Sequence, residues 1–111
     1  MLQKLMLDPK QEILDIIHKN SWKYQYIQPY VSFDDQGQVK GCCINGLVML
    51  SMGWRPTKEG WARPDGGTWE TYATKMRDMY GPNIITEIND INQISLSWQD
   101  GRDRLAKLWE L

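Results

Sequence analysis

The segment Gly41–Gly53 lies in the longest uncharged stretch of the 111-residue chain and contains both of its cysteines. A run of this length with no charged side chain is expected to be buried, and a glycine just after the last apolar residue is typical of a helix end. We therefore predict a central buried helix that is entered from a strand or tight turn and ends at Gly53. The rest of the chain would then pack around this helix.

Length and charge narrow the class of protein. A chain of 111 residues is expected to form one domain, spanning 1–111, with one hydrophobic core. The formal net charge of −1 argues against a dedicated nucleic-acid-binding protein, which usually carries a basic excess. The chain has six tryptophans and one phenylalanine, and tryptophan is common where protein surfaces hold a partner.

The two cysteines, Cys42 and Cys43, are neighbours in the sequence. Adjacent cysteines rarely bridge each other because the geometry is strained, so no disulfide is expected within one chain. This cysteine usage is typical of a reducing compartment. No apolar run approaches the ~20 residues of a membrane span. We therefore predict a cytoplasmic protein that is not held in a membrane.

The first forty residues show three local patterns. Asp8 and Pro9 are favourable residues for a helix start, and the apolar residues of Ile13–Ile17 form one face of the helix that follows. Aromatic residues then alternate over Trp22–Tyr26, which predicts a short strand. Two β-prone arms flank the Asp/Gly turn at Asp34–Gly37, which predicts a hairpin leading directly into the central helix.

The second half of the chain alternates between an irregular segment and helical patterns. Trp54–Gly67 is rich in glycine and proline and has no helical period, which predicts a long loop. A helix is expected from Thr68 to Gly81, and a last helix is expected after Ser97. Its apolar face would consist of Trp98, Leu105, Leu108 and Trp109.

The segment from Asn83 to about Asn92 has isoleucine spacing that suits a short helix, but its β-branched residues leave a strand open. Together these patterns predict an α+β fold that is mainly helical. It would contain about four to five helices and a small β-hairpin preceding a buried central helix.

The order of these features resembles a family of small uncharacterised proteins found in actinobacteria and bacteriophages. The resemblance rests on Trp22 after the first helix, a glycine-containing turn at 35–37, the helix start Cys43–Leu47 and the pair Asn89–Asp90. It covers the chain from about Glu12 to Leu108. The resemblance implies a mainly helical fold with a small hairpin and a bacteriophage origin. It implies no activity.

Cys43 at a helix start raises the hypothesis of a cysteine-dependent enzyme, because helix N-termini lower thiol pKa values. His18, the only histidine, and Asp90 would then be its partners. The alternative is that both cysteines are small core residues, which is the more common role of free cysteine. We favour this alternative, so no catalytic residue is assigned. The pair Asn89–Asp90 could orient a substrate, but it more often ends a helix.

One histidine and two adjacent cysteines do not provide the ligand set of a zinc site, and Asp34 and Asp35 lack the further ligands of a calcium loop. No phosphate-binding glycine motif is present either. We therefore predict no metal and no cofactor.

The strongest functional candidate is the tryptophan- and arginine-rich segment. Its candidate binding residues are Trp54, Arg55, Lys58, Trp61, Arg63 and Trp69. Tryptophan and arginine dominate protein-interface hot spots, but indole faces and cationic side chains also suit nucleotides. The third alternative is that these tryptophans only cover the core. We predict a non-enzymatic binding protein with a protein partner, and a nucleotide ligand as the alternative. A homo-oligomer is compatible with the low net charge.

Overall fold

A computed structural model describes residues 8–28, 31–57, 60–62 and 68–111. Within these ranges the α-helices are α1 (Gln11–Asn20), α2 (Ile44–Ser51), α3 (Trp69–Tyr80), α4 (Ile84–Ile94) and α5 (Trp98–Leu108). The strands are β1 (Gln25–Tyr26), β2 (Val31–Phe33), β3 (Val39–Cys42), β4 (Arg55–Thr57) and β5 (Gly60–Ala62). The predicted α+β, mainly helical class is confirmed.

The predicted hairpin before the central helix is confirmed. Strands β2 and β3 pair antiparallel, and β1 adds to the other edge of β3 in parallel to give the order β1-β3-β2. Asp34 shapes the turn, because its Oδ1 accepts from the backbone N–H groups of Gln36 and Gln38 at 2.9 Å each. Gly37 adopts a φ of +80°, a conformation that glycine tolerates best.

Gly41 in β3 allows β1 to approach closely. A Cβ atom at this position would lie 2.7 Å from the backbone oxygen of Gln25. Because a backbone atom cannot move aside as a flexible side chain can, the parallel pairing requires a residue without a side chain here.

The strand predicted over Trp22–Tyr26 is only partly right. Ser21–Lys23 forms a 3-10 turn, and the strand is confined to Gln25–Tyr26. The indole Nε1 of Trp22 donates to the carbonyl oxygen of Lys19 at 2.9 Å, so this side chain caps the end of α1. Helix capping accounts for Trp22, whereas the alternating pattern predicted a strand residue.

The central helix is confirmed and is shorter than the uncharged run. Every residue from Gly41 to Leu50 is buried, and α2 follows directly from β3. The helix packs against α1, β3 and α4. Gly53 has a φ of +92°, which ends the helical conformation where the sequence predicted.

The loop predicted over 54–67 contains regular structure, so that prediction is wrong for six residues. Strands β4 and β5 pair antiparallel, with Arg55 opposite Ala62 and Thr57 opposite Gly60. We name the strand pair β4 and β5 the second hairpin. Strands of three residues that contain proline or glycine are too short to show an alternation of polar and apolar residues. The sequence pattern therefore predicted a loop where the structure has strands.

The three C-terminal helices follow the sequence pattern closely. Thr68 precedes α3, and Gly81 ends it with a φ of +109°. The segment over 84–94 is a helix, which removes the strand alternative. Ser97 caps α5 by accepting from the N–H of Asp100 at 3.1 Å. Leu108 is 48% exposed, so the expectation that it belongs to the apolar face is wrong.

Candidate functional site

Trp54 joins the second hairpin to the core. Its side chain is fully buried, and its ring packs edge-on against Tyr72 of α3 with centroids 6.0 Å apart and planes at 80°. Edge-to-face pairs of this kind add to the stabilisation from burial. The structure therefore places Trp54 inside the core, where it anchors the start of β4.

Arg55 directly follows Trp54 in the chain, and Trp69 packs against the same tyrosine, Tyr72. Arg55 is exposed, and its Nη1 donates to the backbone oxygens of Trp54 at 2.7 Å and Leu50 at 3.4 Å. A cation near the C-terminal end of α2 is favourable because that end carries partial negative charge. Trp69 is half-buried, with its ring centroid 5.4 Å from that of Tyr72.

Of the three other predicted binding residues, the structure describes only Trp61. Trp61 is in β5, where its backbone lies opposite Pro56 of β4. Lys58 and Arg63 lie outside the described residues. The structure thus gathers Trp54, Arg55 and Trp69 at the base of the second hairpin and puts Trp61 on the hairpin itself.

A cationic pocket lies beside Arg55. It has a volume of about 320 Å³ and is lined by Asn20, Lys23, Tyr24, Leu47, Leu50, Ser51 and Arg55. Two of these residues are cations and none is acidic. Lys23 is held in place by a hydrogen bond from Nζ to the Asn20 Oδ1 at 3.1 Å. This charge balance favours an anionic ligand over a cationic one.

Cys43 is the N-cap residue of α2, and its Sγ accepts from the N–H of Gly46 at 3.4 Å. The expected lowering of its pKa is wrong. Burial raises the pKa of the Cys43 thiol, because desolvation outweighs the hydrogen bonds that favour the thiolate. Burial also raises the pKa of Cys42, to about 12. His18 and Asp90, the other members of the hypothetical enzyme site, both have exposed side chains.

A cluster of asparagines surrounds the start of α2. Asn45 is fully buried, donates from Nδ2 to the Asn89 Oδ1 at 2.7 Å and accepts from the Tyr72 hydroxyl at 3.1 Å. Asn92 accepts from the N–H of Ile44 at 3.0 Å. Buried polar groups require such partners, and together these contacts tie α2 to α3 and α4.

Sequence reasoning missed Asn45 and Asn92. The available signals were an asparagine inside an apolar run and two asparagines, 89 and 92, one helical turn apart. Asn89–Asp90 lies within α4, so the expectation that this pair ends a helix is wrong.

Two properties of the described residues bear on other functions. None of their helices is long and apolar enough to cross a membrane. The same residues contain no group of three or more histidine, cysteine, aspartate or glutamate side chains that could hold a metal ion.

We predict that both cysteines of the folded chain react slowly with iodoacetamide at neutral pH. A raised thiol pKa leaves less thiolate at any pH below it, and burial also blocks the reagent. Labelling should accelerate as the pH rises and should become rapid at neutral pH once urea unfolds the chain. Mass spectrometry of both conditions gives the rates. Fast labelling of Cys43 in the folded chain at neutral pH would contradict the structure and favour the enzyme hypothesis.

Comparison of the chain with protein-family models, with curated proteins and with solved structures gives no match.

Proposed function

We propose that this chain is a non-enzymatic binding protein that holds a protein partner on the second hairpin. The observation that carries the proposal is the pairing of β4 and β5. Within the described residues these strands pair with each other and with no third strand. The proposal requires that one of these strands leaves its second backbone edge open, and an open sheet edge can add a strand from another protein.

The residues of the second hairpin also have the chemistry of an interface. Exposed Arg55 begins β4, and Trp61 is at the centre of β5. Arginine and tryptophan are the residues most enriched among interface hot spots. Buried Trp54 fixes the hairpin to the core and so reduces the conformational entropy lost on binding. The resemblance to bacteriophage proteins suggests a host or bacteriophage protein as the partner.

We expect Arg55→Ala and Trp61→Ala each to weaken partner binding by roughly tenfold or more, as for other interface hot spots. The affinity is measured on the partner captured by the wild-type chain, and the melting temperature is recorded for every variant. Lys40→Ala is the matched control, because it removes an exposed cation from a strand of the other sheet. Unchanged binding by both variants would refute the proposal. A binding loss that parallels a large loss of stability would favour the core alternative.

The cationic pocket supports a second candidate, the binding of a nucleotide. Lys23 and Arg55 supply two positive charges, and Trp22, next to Lys23, is 78% exposed and can stack on a base. A nucleotide at 100 times its dissociation constant should stabilise the fold by about 2.7 kcal/mol, which thermal-shift assays detect. Mono-, di- and cyclic nucleotides are the probes. Lys23→Ala should abolish the shift, whereas Lys40→Ala should preserve it. No shift with any of these nucleotides would remove this candidate.

A further inference from the structure

The second hairpin has two outer backbone edges, one on β4 and one on β5, and the register of the pairing distinguishes them. The facing residues are Arg55 and Ala62, Pro56 and Trp61, and Thr57 and Gly60. In an antiparallel pair, facing residues alternate between pairs that exchange two backbone hydrogen bonds and pairs that exchange none. The register therefore decides which backbone groups point between the strands and which point outward.

Pro56 fixes the phase of this alternation. Because proline has no N–H, Pro56 and Trp61 cannot exchange two hydrogen bonds, so they form the pair that exchanges none. The pairs at 55/62 and 57/60 are then the ones that hold the two strands together. The backbone groups of Pro56 and Trp61 point away from the neighbouring strand, each toward its own outer edge.

The two outer edges differ in their hydrogen-bonding groups. At position 56 the outer edge of β4 has a carbonyl oxygen but no N–H, and a proline at a sheet edge is a common obstacle to strand addition. At position 61 the outer edge of β5 has both an N–H donor and a carbonyl acceptor. One residue of an added antiparallel strand uses such a pair of groups. Within residues 55–57 and 60–62, β5 alone therefore offers a complete pairing site.

The charges around the second hairpin define the chemistry of the added strand. Positions 55–63 contain three cations and one acid in the sequence, whereas the whole chain has a formal net charge of −1. The cationic pocket beside Arg55 adds Lys23, and the described residues that line it include no acid. A positive surface attracts an acidic segment and repels a basic one.

We propose that an acidic, extended segment of the partner protein adds to β5 as a third strand and exchanges two backbone hydrogen bonds with Trp61. This inference rests on the proposed function, because it assigns the position and the main-chain contacts of the same partner. In strand addition the main chain supplies affinity and the side chains select the partner. The backbone N–H of Trp61 is therefore expected to contribute to binding independently of the indole.

Hydrogen exchange of the free chain, followed by NMR, tests the assignment of the edge without any partner. The N–H of Trp61 points outward, whereas the N–H of Ala62 points toward β4. We expect the Trp61 amide to exchange roughly tenfold faster than the Ala62 amide, or more. Equal or stronger protection of Trp61 would show that its N–H is already paired in the free chain, and would overturn the proposal.

A second test removes the N–H of Trp61 and keeps its side chain. The α-hydroxy acid analogue of tryptophan is placed at position 61, so that an ester replaces the amide. The probe is the purified protein that the wild-type chain captures from cell extract. We expect the affinity for this protein to fall roughly tenfold or more, since a main-chain hydrogen bond is lost and its acceptor is left unpaired. The melting temperature of the ester chain separates a loss of binding from a loss of folding.

Pro56→Ala is the matched control, because it adds an N–H to the outer edge of β4 and should leave the affinity unchanged. Added sodium chloride should weaken binding, because salt screens the attraction between the hairpin and an acidic segment.

The outcomes separate this proposal from the proposed function. A captured protein that binds the ester chain with wild-type affinity would overturn strand addition at β5 and leave the proposed function in place. No capture by the wild-type chain would overturn both. A gain in affinity from Pro56→Ala, binding that is insensitive to salt, or a second copy of this chain as the captured protein would overturn the present proposal alone.

Discussion

Replacing Trp54 with alanine is expected to lower the free energy of unfolding by about 3–5 kcal/mol, as for other buried aromatic residues. The side chain is fully buried and packs against Tyr72, and its removal would leave a cavity at the root of the second hairpin. A typical domain has only about 5–15 kcal/mol of stability in total. The variant should therefore be close to the limit of folding.

Urea denaturation followed by far-UV circular dichroism measures this loss without relying on tryptophan fluorescence. Trp22→Ala is the matched control, because Trp22 is 78% exposed and its main contact is the hydrogen bond that caps α1. We expect its effect to stay within about 1 kcal/mol. Equal effects of the two substitutions would show that Trp54 is not a core residue.

Asn45→Ala is expected to reduce stability by about 2–4 kcal/mol, since each buried hydrogen-bonding partner left without its contact costs roughly 1–3 kcal/mol. The substitution removes the acceptor that the Tyr72 hydroxyl uses at 3.1 Å and the donor to Asn89 at 2.7 Å. Both contacts connect α2 to other helices, so their loss affects the packing of the whole core.

Asn83→Ala serves as the control for Asn45→Ala. Asn83 is exposed at the start of α4, and its side chain makes no capping hydrogen bond. We expect its effect on stability to lie within about 0.5 kcal/mol. The same urea titration compares both variants. A loss below 1 kcal/mol for Asn45→Ala would mean that the asparagine cluster contributes little to the stability of the fold.

The parts of the fold that the sequence predicted are those governed by local rules. Within the uncharged run, Ile44–Ser51 forms a buried helix because its apolar side chains are more stable away from water, and the helix ends because Gly53 can adopt a positive φ. The turn at Asp34–Gly37 formed because the aspartate side chain can accept from nearby backbone N–H groups. Ser97 caps α5 for the same reason, because its hydroxyl accepts from the nearby backbone N–H of Asp100.

The features of the structure that the sequence did not predict depend on contacts between segments that are distant in the chain. The second hairpin is too short to show a period, and its pairing is decided by the two strands together. The Asn45–Asn89 hydrogen bond joins residues 44 positions apart, which no local pattern reveals. The pKa of Cys43 also depends on burial, which overrides the effect of the helix start.

Composition alone could not separate the roles of the tryptophans. Trp54 is buried in the core, Trp22 is largely exposed, and Trp109 donates from Nε1 to the Glu87 Oε1 at 3.4 Å. The tryptophan count therefore did not distinguish core residues such as Trp54 from exposed ones such as Trp22. Only the tertiary contacts show that Trp54 supports the second hairpin from within.

Site-specific photo-crosslinking tests the proposed binding surface most directly. A benzophenone amino acid is placed at position 61 in β5 or, as a control, at Phe33, which is 47% exposed at the end of β2. Both variants are irradiated in cells that express them. The account predicts a covalent adduct of defined mass from position 61, none from position 33, and loss of the adduct when Arg55→Ala is added. An adduct from position 33 alone, or one from position 61 that survives Arg55→Ala unchanged, would contradict it.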